Sequence, residues 1–362
     1  MKTFLVLSLA VSFLVAAPVK AAYHFSDFRG RPPIHVNGSS SKTPKGITPD
    51  QIKKIYRLPA GGGSGTIAII GAYDDPSIEA DVNDFSRQFN LPVCTTANDC
   101  FEKHKMSPSM KSDSGWAMEI TLDAEWAHAV APRAKILLVE ATTPSGANLL
   151  KAVDYAASRK DAVSISMSWG GAEFPEETTL DSHFISKSGA VFFASSGDNG
   201  AGASWPAASP NVIGVGGTSL QLKSDGTLSK ETAWSGSGGG VSAYEKQPDY
   251  QTNYSIPRAK GLRAIPDVAY DADPISGFPI IRLGTWREVG GTSAGAPQWA
   301  AIAALSNGFS IQDLYKDKAA SNSAKFFRDI TSGSNGSCAY YCDARRHYDY
   351  VTGLGTPLTT NF

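Results

Sequence analysis

The sequence predicts an α/β fold with a mostly parallel central sheet flanked by helices, and three observations lead there. Several segments are apolar throughout for about a strand's length, without the polar alternation of a sheet wetted on one face. Segments with helically spaced apolar residues separate them. Polar, glycine-bearing stretches directly follow the apolar ones: Trp169-Gly-Gly, Gly197-Asp-Asn-Gly and Gly216-Gly-Thr. Open parallel sheets bind ligands at the carboxyl ends of their strands, so chemistry is expected in those stretches.

The chain has 362 residues, 42% of them hydrophobic, enough to bury the core of one large domain. Its formal net charge is −1, with no Lys/Arg run, which argues against nucleic acid as a partner. Lys2 precedes an apolar run from Phe4 to Ala17, followed by small residues around Ala21. That run falls short of the roughly 20 residues a membrane span needs. Residues 1–21 therefore read as a signal peptide, and the product as secreted, free of the membrane and monomeric.

Residues 22–46, rich in Pro, Gly and Ser, read as an extended arm, and 47–362 as the main domain. Thr48-Pro49-Asp50 starts a helix, with Thr48 as cap and Pro49 in the first turn. Strands are expected at 66–71, 134–140, 163–168, 190–194 and 212–215. Helices are expected at 77–89 and after Ser145, where Leu149, Leu150, Val153 and Ala156 form a stripe. Cys94 and Cys100 bracket five residues, Cys338 and Cys342 three; two local disulfides are expected in preference to zinc, since neither pair has knuckle spacing. Asn37, Asn253 and Asn335 head glycosylation triplets.

Three constellations could carry chemistry. Gly290-Gly-Thr-Ser-Ala-Gly-Ala-Pro297 leads into an apolar helix and puts Ser293 at its N-terminus, where free N–H groups favour developing negative charge. Glu119 and Asp123 are one turn apart and share a face with Trp116, Trp126 and Val130. Two inward acids at that spacing suit a general base and its orienting partner, while Glu125 and His128 are expected to point away, into solvent. The third is Asp198, directly after the strand Val191-Phe-Phe-Ala, placed to stabilise an oxyanion.

Together these residues resemble the sedolisin (serine-carboxyl peptidase) family, whose fold is the three-layer one of subtilisin with a different triad. The likeness runs from about Thr48 to Pro357. Gly290-Gly-Thr-Ser293-Ala matches the nucleophile motif, Glu119-Ile-Thr-Leu-Asp123 the acid helix, and Ser196-Gly-Asp198-Asn-Gly the oxyanion aspartate. Ser166-Met-Ser-Trp169-Gly170 matches the strand end bordering the substrate cleft. The resemblance also implies one structural calcium ion, held by Asp329, Ile330, Arg345, His347 and Asp349. Family loops typically have glycine where Arg345 and His347 fall. Precursors in the family carry a long folded prosegment, where here about 25 residues separate the signal from Thr48.

The resemblance implies an acid-acting endopeptidase on polypeptides, with Ser293 as nucleophile, Glu119 as base, Asp123 orienting it and Asp198 protonated at the oxyanion. A neutral subtilisin-like hydrolase needs a catalytic histidine, yet none of the six histidines is followed by Gly, and His128 lies off the acid face. An inactive peptide-binding relative should have lost one of the four polar positions, and all four are present.

Overall fold

The computed structural model describes residues 23–306, 308–319 and 324–362; the segment read as a signal peptide lies outside them. The first half alternates strands and helices: β1 (His35–Ser41), α1 (Pro49–Ile55), β2 (Thr66–Ala72), α2 (Ile78–Gln88), β3 (Phe101–Lys105), α3 (Ser114–Val130), β4 (Lys135–Ala141), α4 (Gly146–Ser158) and β5 (Ala162–Met167). The second half adds β6 (Val191–Ser195), β7 (Val212–Leu222), β8 (Leu228–Ala233), β9 (Val268–Asp271), β10 (Phe278–Arg282), β11 (Thr285–Gly290) and α5 (Gly295–Leu305). Thr48 caps α1 in a capping box with Gln51, and Ser145 caps α4, as their side-chain chemistry requires.

Among the described residues eight strands form the central sheet, in the order β8-β7-β6-β5-β2-β4-β3 with β9 also on β7. Only β8 runs antiparallel to its neighbour. Parallel neighbours need crossovers, and α3 and α4 provide them. Each strand feeds both faces by its period of two: Ile67 and Ile69 enter one core, Ala68, Ile70 and Ala72 the other. The first core lies under α3 and α5, the second under α4. A second sheet, β1-β11-β10, packs beside α3.

Two expectations change. Every residue of α3 from Glu119 to Val130 is buried, Glu125 and His128 included, because α2, α5 and β10 cover the face that the helix turns away from the sheet. Glu125 accepts from the Ile281 amide at 3.2 Å, and burial pushes its carboxyl well above the usual range. His128 Nε2 lies 2.9 Å from the Pro92 carbonyl, and burial lowers its pKa. A helix clad on all sides shows no polar face in its sequence.

The arm is also more than an extended leader. It contains a short turn (Phe25–Asp27) and strand β1, and it buries Phe28 against Trp169, Phe174 and Trp205. Both expected disulfides, Cys94–Cys100 and Cys338–Cys342, are present. His128 lies near the first pair, but its two sulfurs are bonded to each other and do not offer thiolates to a metal. No helix among the described residues is long and apolar enough to cross a membrane.

Candidate active site

Strand β11 ends at Gly290, and Gly291 turns the chain with φ +122°, a conformation that side-chain-bearing residues avoid. The turn Thr292–Ala294 then runs into α5 and carries Ser293, which is fully buried. Ser293 Oγ donates to Glu119 Oε2 at 3.0 Å, across 174 residues of sequence. The serine is brought there by the packing of α5 on α3, both apolar enough to be enclosed.

Glu119 and Asp123 are each 1% exposed. Burial, then the nearby Asp123 charge, pushes Glu119 well above the usual carboxylate range; burial also raises Asp123. Such a pair titrates as a unit and holds a proton that isolated carboxyls would release. Ser168, just past the end of β5, donates to Asp123 Oδ1 at 2.6 Å and stands 3.2 Å from the Ser293 carbonyl. Hydrogen bonding to the charged form draws the Asp123 pKa back down.

Asp198 follows β6. Its Oδ1 accepts from the Thr292 amide at 2.8 Å and the Thr292 hydroxyl at 2.7 Å. The Gly197 amide in turn donates to Thr292 Oγ1 at 3.1 Å, tying the two turns together. Burial raises the Asp198 pKa. Its Oδ2 is buried without a hydrogen bond, although His35 Nε2 approaches obliquely to 3.1 Å. The four residues singled out for chemistry thus converge. Ser168 and Thr292 join them, both inside the quoted motifs but without a sequence signal of their own.

The other histidines are engaged elsewhere: His24 with Glu176, His104 stacked on Tyr155, His183 with Asp154. The cleft beside Asp198 has a volume of about 670 Å³ and is lined by Gly170, by residues of 196–204 and by the arm. Gly170 lines this cleft. Trp169 does not: its indole is buried against Phe28 and Trp205, because successive residues at a strand end face opposite sides.

In the expected calcium loop two of the residue pairs are joined by hydrogen bonds. Asp329 Oδ2 accepts from the His347 amide at 3.0 Å, and Asp349 Oδ2 from the Arg345 amide at 3.0 Å. Both carboxylates are raised by burial, Asp349 to about 7. His347 adopts φ +66°, the left-handed conformation family glycines supply easily and histidine can adopt. Carboxylates are the hard oxygen donors a calcium ion prefers, and that of Asp349 already accepts four hydrogen bonds, from the Arg345, Val351 and Thr352 amides and the Thr352 hydroxyl. The ordered amide donors on Asp349 would share its oxygens with the ion.

A family model described as the Subtilase family matches residues 112–319. Among curated relatives, kumamolisin of Bacillus sp. (strain MN-32) is 31% identical over 88% of this chain and 63% of its own. The tripeptidyl-peptidase sed1 of Aspergillus fumigatus is 34% identical over 42% of this chain and 29% of its own. This chain therefore spans under two thirds of those relatives' lengths. The solved structure of Pseudomonas sedolisin (serine-carboxyl proteinase), complexed with two molecules of pseudo-iodotyrostatin, superposes with a TM-score of 0.75 at 28% identity, covering 87% of this chain and 96% of that one.

Proposed function

Because the chain belongs to the sedolisin family, with its subtilisin-like fold, we propose that it is a secreted serine-carboxyl endopeptidase that hydrolyses polypeptides in acid. The observation that carries this reading is the Ser293 Oγ to Glu119 Oε2 hydrogen bond on a buried acid pair. A serine hydroxyl needs a base, and the only titratable side chain hydrogen-bonded to it among the described residues is this carboxyl.

In the proposed reaction Glu119 Oε2 takes the Ser293 proton as Oγ attacks the scissile carbonyl. Asp123, held by Ser168, keeps the pair's one proton, so that Glu119 is the ionised partner when it takes the proton from Ser293. The carbonyl oxygen becomes an oxyanion and accepts a hydrogen bond from protonated Asp198, whose Oδ2 is the oxygen left free by Thr292. Glu119 then passes its proton to the leaving amine, and water repeats the sequence on the acyl-enzyme. The pair must have lost one proton and Asp198 must keep its own, which confines activity to acid.

One calcium ion is proposed at Asp329, Ile330, Arg345, His347 and Asp349. It would neutralise the buried carboxylate of Asp349 and the exposed one of Asp329 and brace the loop, taking no part in bond breaking. Hydrolysis of a denatured protein substrate by the wild type but not by Ser293→Ala tests the reading. Sizing the products separates internal cleavage from release of amino-terminal tripeptides.

A further inference from the structure

Ser168 stands between two acceptors that belong to opposite sides of the site. Its Oγ is 2.6 Å from Asp123 Oδ1 and 3.2 Å from the Ser293 carbonyl oxygen. A hydroxyl has one hydrogen, so it serves one of them fully at a time. Strand register brings it there. Ser164 and Ser168 fall on the same side of the chain by its period of two, and Ser164 Oγ donates to the Ala300 carbonyl of α5 at 2.8 Å. The Ser293 carbonyl is open to a side chain because of Pro297. In a helix the amide four residues on serves each carbonyl, and proline has none. Ser293 Oγ in turn donates to Glu119. The hydrogen bonds through Ser168 and Ser293 thus reach the acid pair from both of its members.

When Asp123 is ionised, its charge holds the serine hydrogen on Oδ1, since charge-assisted bonds are the stronger ones. When Asp123 holds the pair's proton, the same contact runs in reverse: Asp123 donates to Ser168 Oγ, and the serine hydrogen turns to the Ser293 carbonyl. We propose that Pro297 is a positioning residue: by withholding an amide from the Ser293 carbonyl it gives Ser168 that acceptor, which keeps the pair's proton on Asp123 and leaves Glu119 ionised to act as base. The proposal rests on the peptidase reading above. Linked hydrogen bonds strengthen one another, so an acceptor at the far end of the chain favours the proton at its start. Of the elements packed on α3, α5 and β2 contain no titratable side chain. Asp81 and Asp84 of α2 act on Glu125, and Lys53 of α1 acts on His128. Arg282 of β10 pairs with Asp75, and Glu140 of β4 with Lys103. Asp198, across the site, acts on Glu119 itself.

Pro297→Ala supplies the missing amide and keeps the helix, since alanine is the best helix former. The Ser293 carbonyl then no longer draws the serine hydrogen. The midpoint of Asp123, read from its side-chain carboxyl ¹³C shift against pH, is expected to fall by about 0.5–1 pH unit. With the proton moved toward Glu119, kcat on a denatured protein in acid should fall about fivefold at unchanged KM. In a Ser168→Ala background the same substitution should move neither quantity. A midpoint that stays or rises, an unchanged kcat, or an equal shift with and without Ser168 would overturn the proposal. A second measurement serves if Pro297→Ala does not fold. In the wild type the Ser293 carbonyl ¹³C shift should titrate with the Asp123 midpoint, and in Ser168→Ala that response should be lost; a response that persists overturns the relay. Should the wild type not hydrolyse at all, the peptidase reading fails, while the two carbon titrations still decide whether Ser168 and Pro297 steer the proton.

Discussion

Ser168 Oγ donates to Asp123 Oδ1 at 2.6 Å, linking the end of β5 to the acid pair of α3. The bond favours the ionised carboxylate, so its loss raises the pKa of the pair. Ser168→Ala should shift the acid limb of the pH–rate profile to higher pH and lower kcat below that limb, with KM little changed. The profile is measured with a denatured protein substrate. An acid limb at the wild-type position would leave Ser168 a packing residue.

Removing the nucleophile or its base should remove turnover. Ser293→Ala and Glu119→Gln are each expected to cost on the order of 10⁴-fold or more in kcat, as for residues of a unit that acts together. Circular dichroism should show both folded. A Glu119→Gln enzyme within tenfold of wild type would need another base.

Activity of the wild type should follow a bell in acid. The rising limb reports loss of one proton from the Glu119–Asp123 pair, and the falling limb loss of the Asp198 proton. Burial raises Asp198, so the falling limb should lie above the ordinary aspartate value of about 4. Asp198→Ala should lose roughly a hundredfold in kcat, the penalty for one oxyanion donor, and Asp198→Asn less. An optimum above neutral pH would contradict the whole assignment.

Stability should also fall as pH rises. Burial raises Glu140 and Asp349 to about 7 and Glu245 to about 8. Their unfolded values are near 4, so between about pH 4 and 8 the native state holds more protons than the unfolded chain, and the slope of stability with pH is negative. The stabilisation is complete below about pH 4 and lost through the folded pKa values. Glu102 and Asp161, held at about 2 by Arg159, act oppositely and only below pH 4, and their exposure weakens the effect. Tm should therefore be higher near pH 4 than at pH 8; the reverse order would refute this.

Calcium should raise Tm relative to chelator. At 100 times its Kd an ion bound only to the native state adds about 2.7 kcal/mol. Asp349→Asn should abolish the difference. Equal Tm in calcium and chelator would mean that the loop is held by its hydrogen bonds alone.

The sequence by itself determined the local parts of this protein. Apolar runs marked the strands because a parallel sheet is buried on both faces. The four-residue spacing put Glu119 and Asp123 on one side of a helix, and the glycine-rich run before an apolar stretch put Ser293 at a helix start, where the turn Thr292–Ala294 leads into α5. These features depend on neighbours within a turn or two, so they are written in consecutive residues. The tertiary structure alone decided what depends on distant partners. Glu125 and His128 are buried because three other elements close over α3, which their own helix cannot reveal. Ser168 meets Asp123 across 45 residues, and Thr292 meets Asp198 across 94. The same reason hid the path of the arm: residues 29–35 read as part of a proline-rich extended segment, and their place beside the cleft comes from pairing with Gly170 and Gly290, far along the chain.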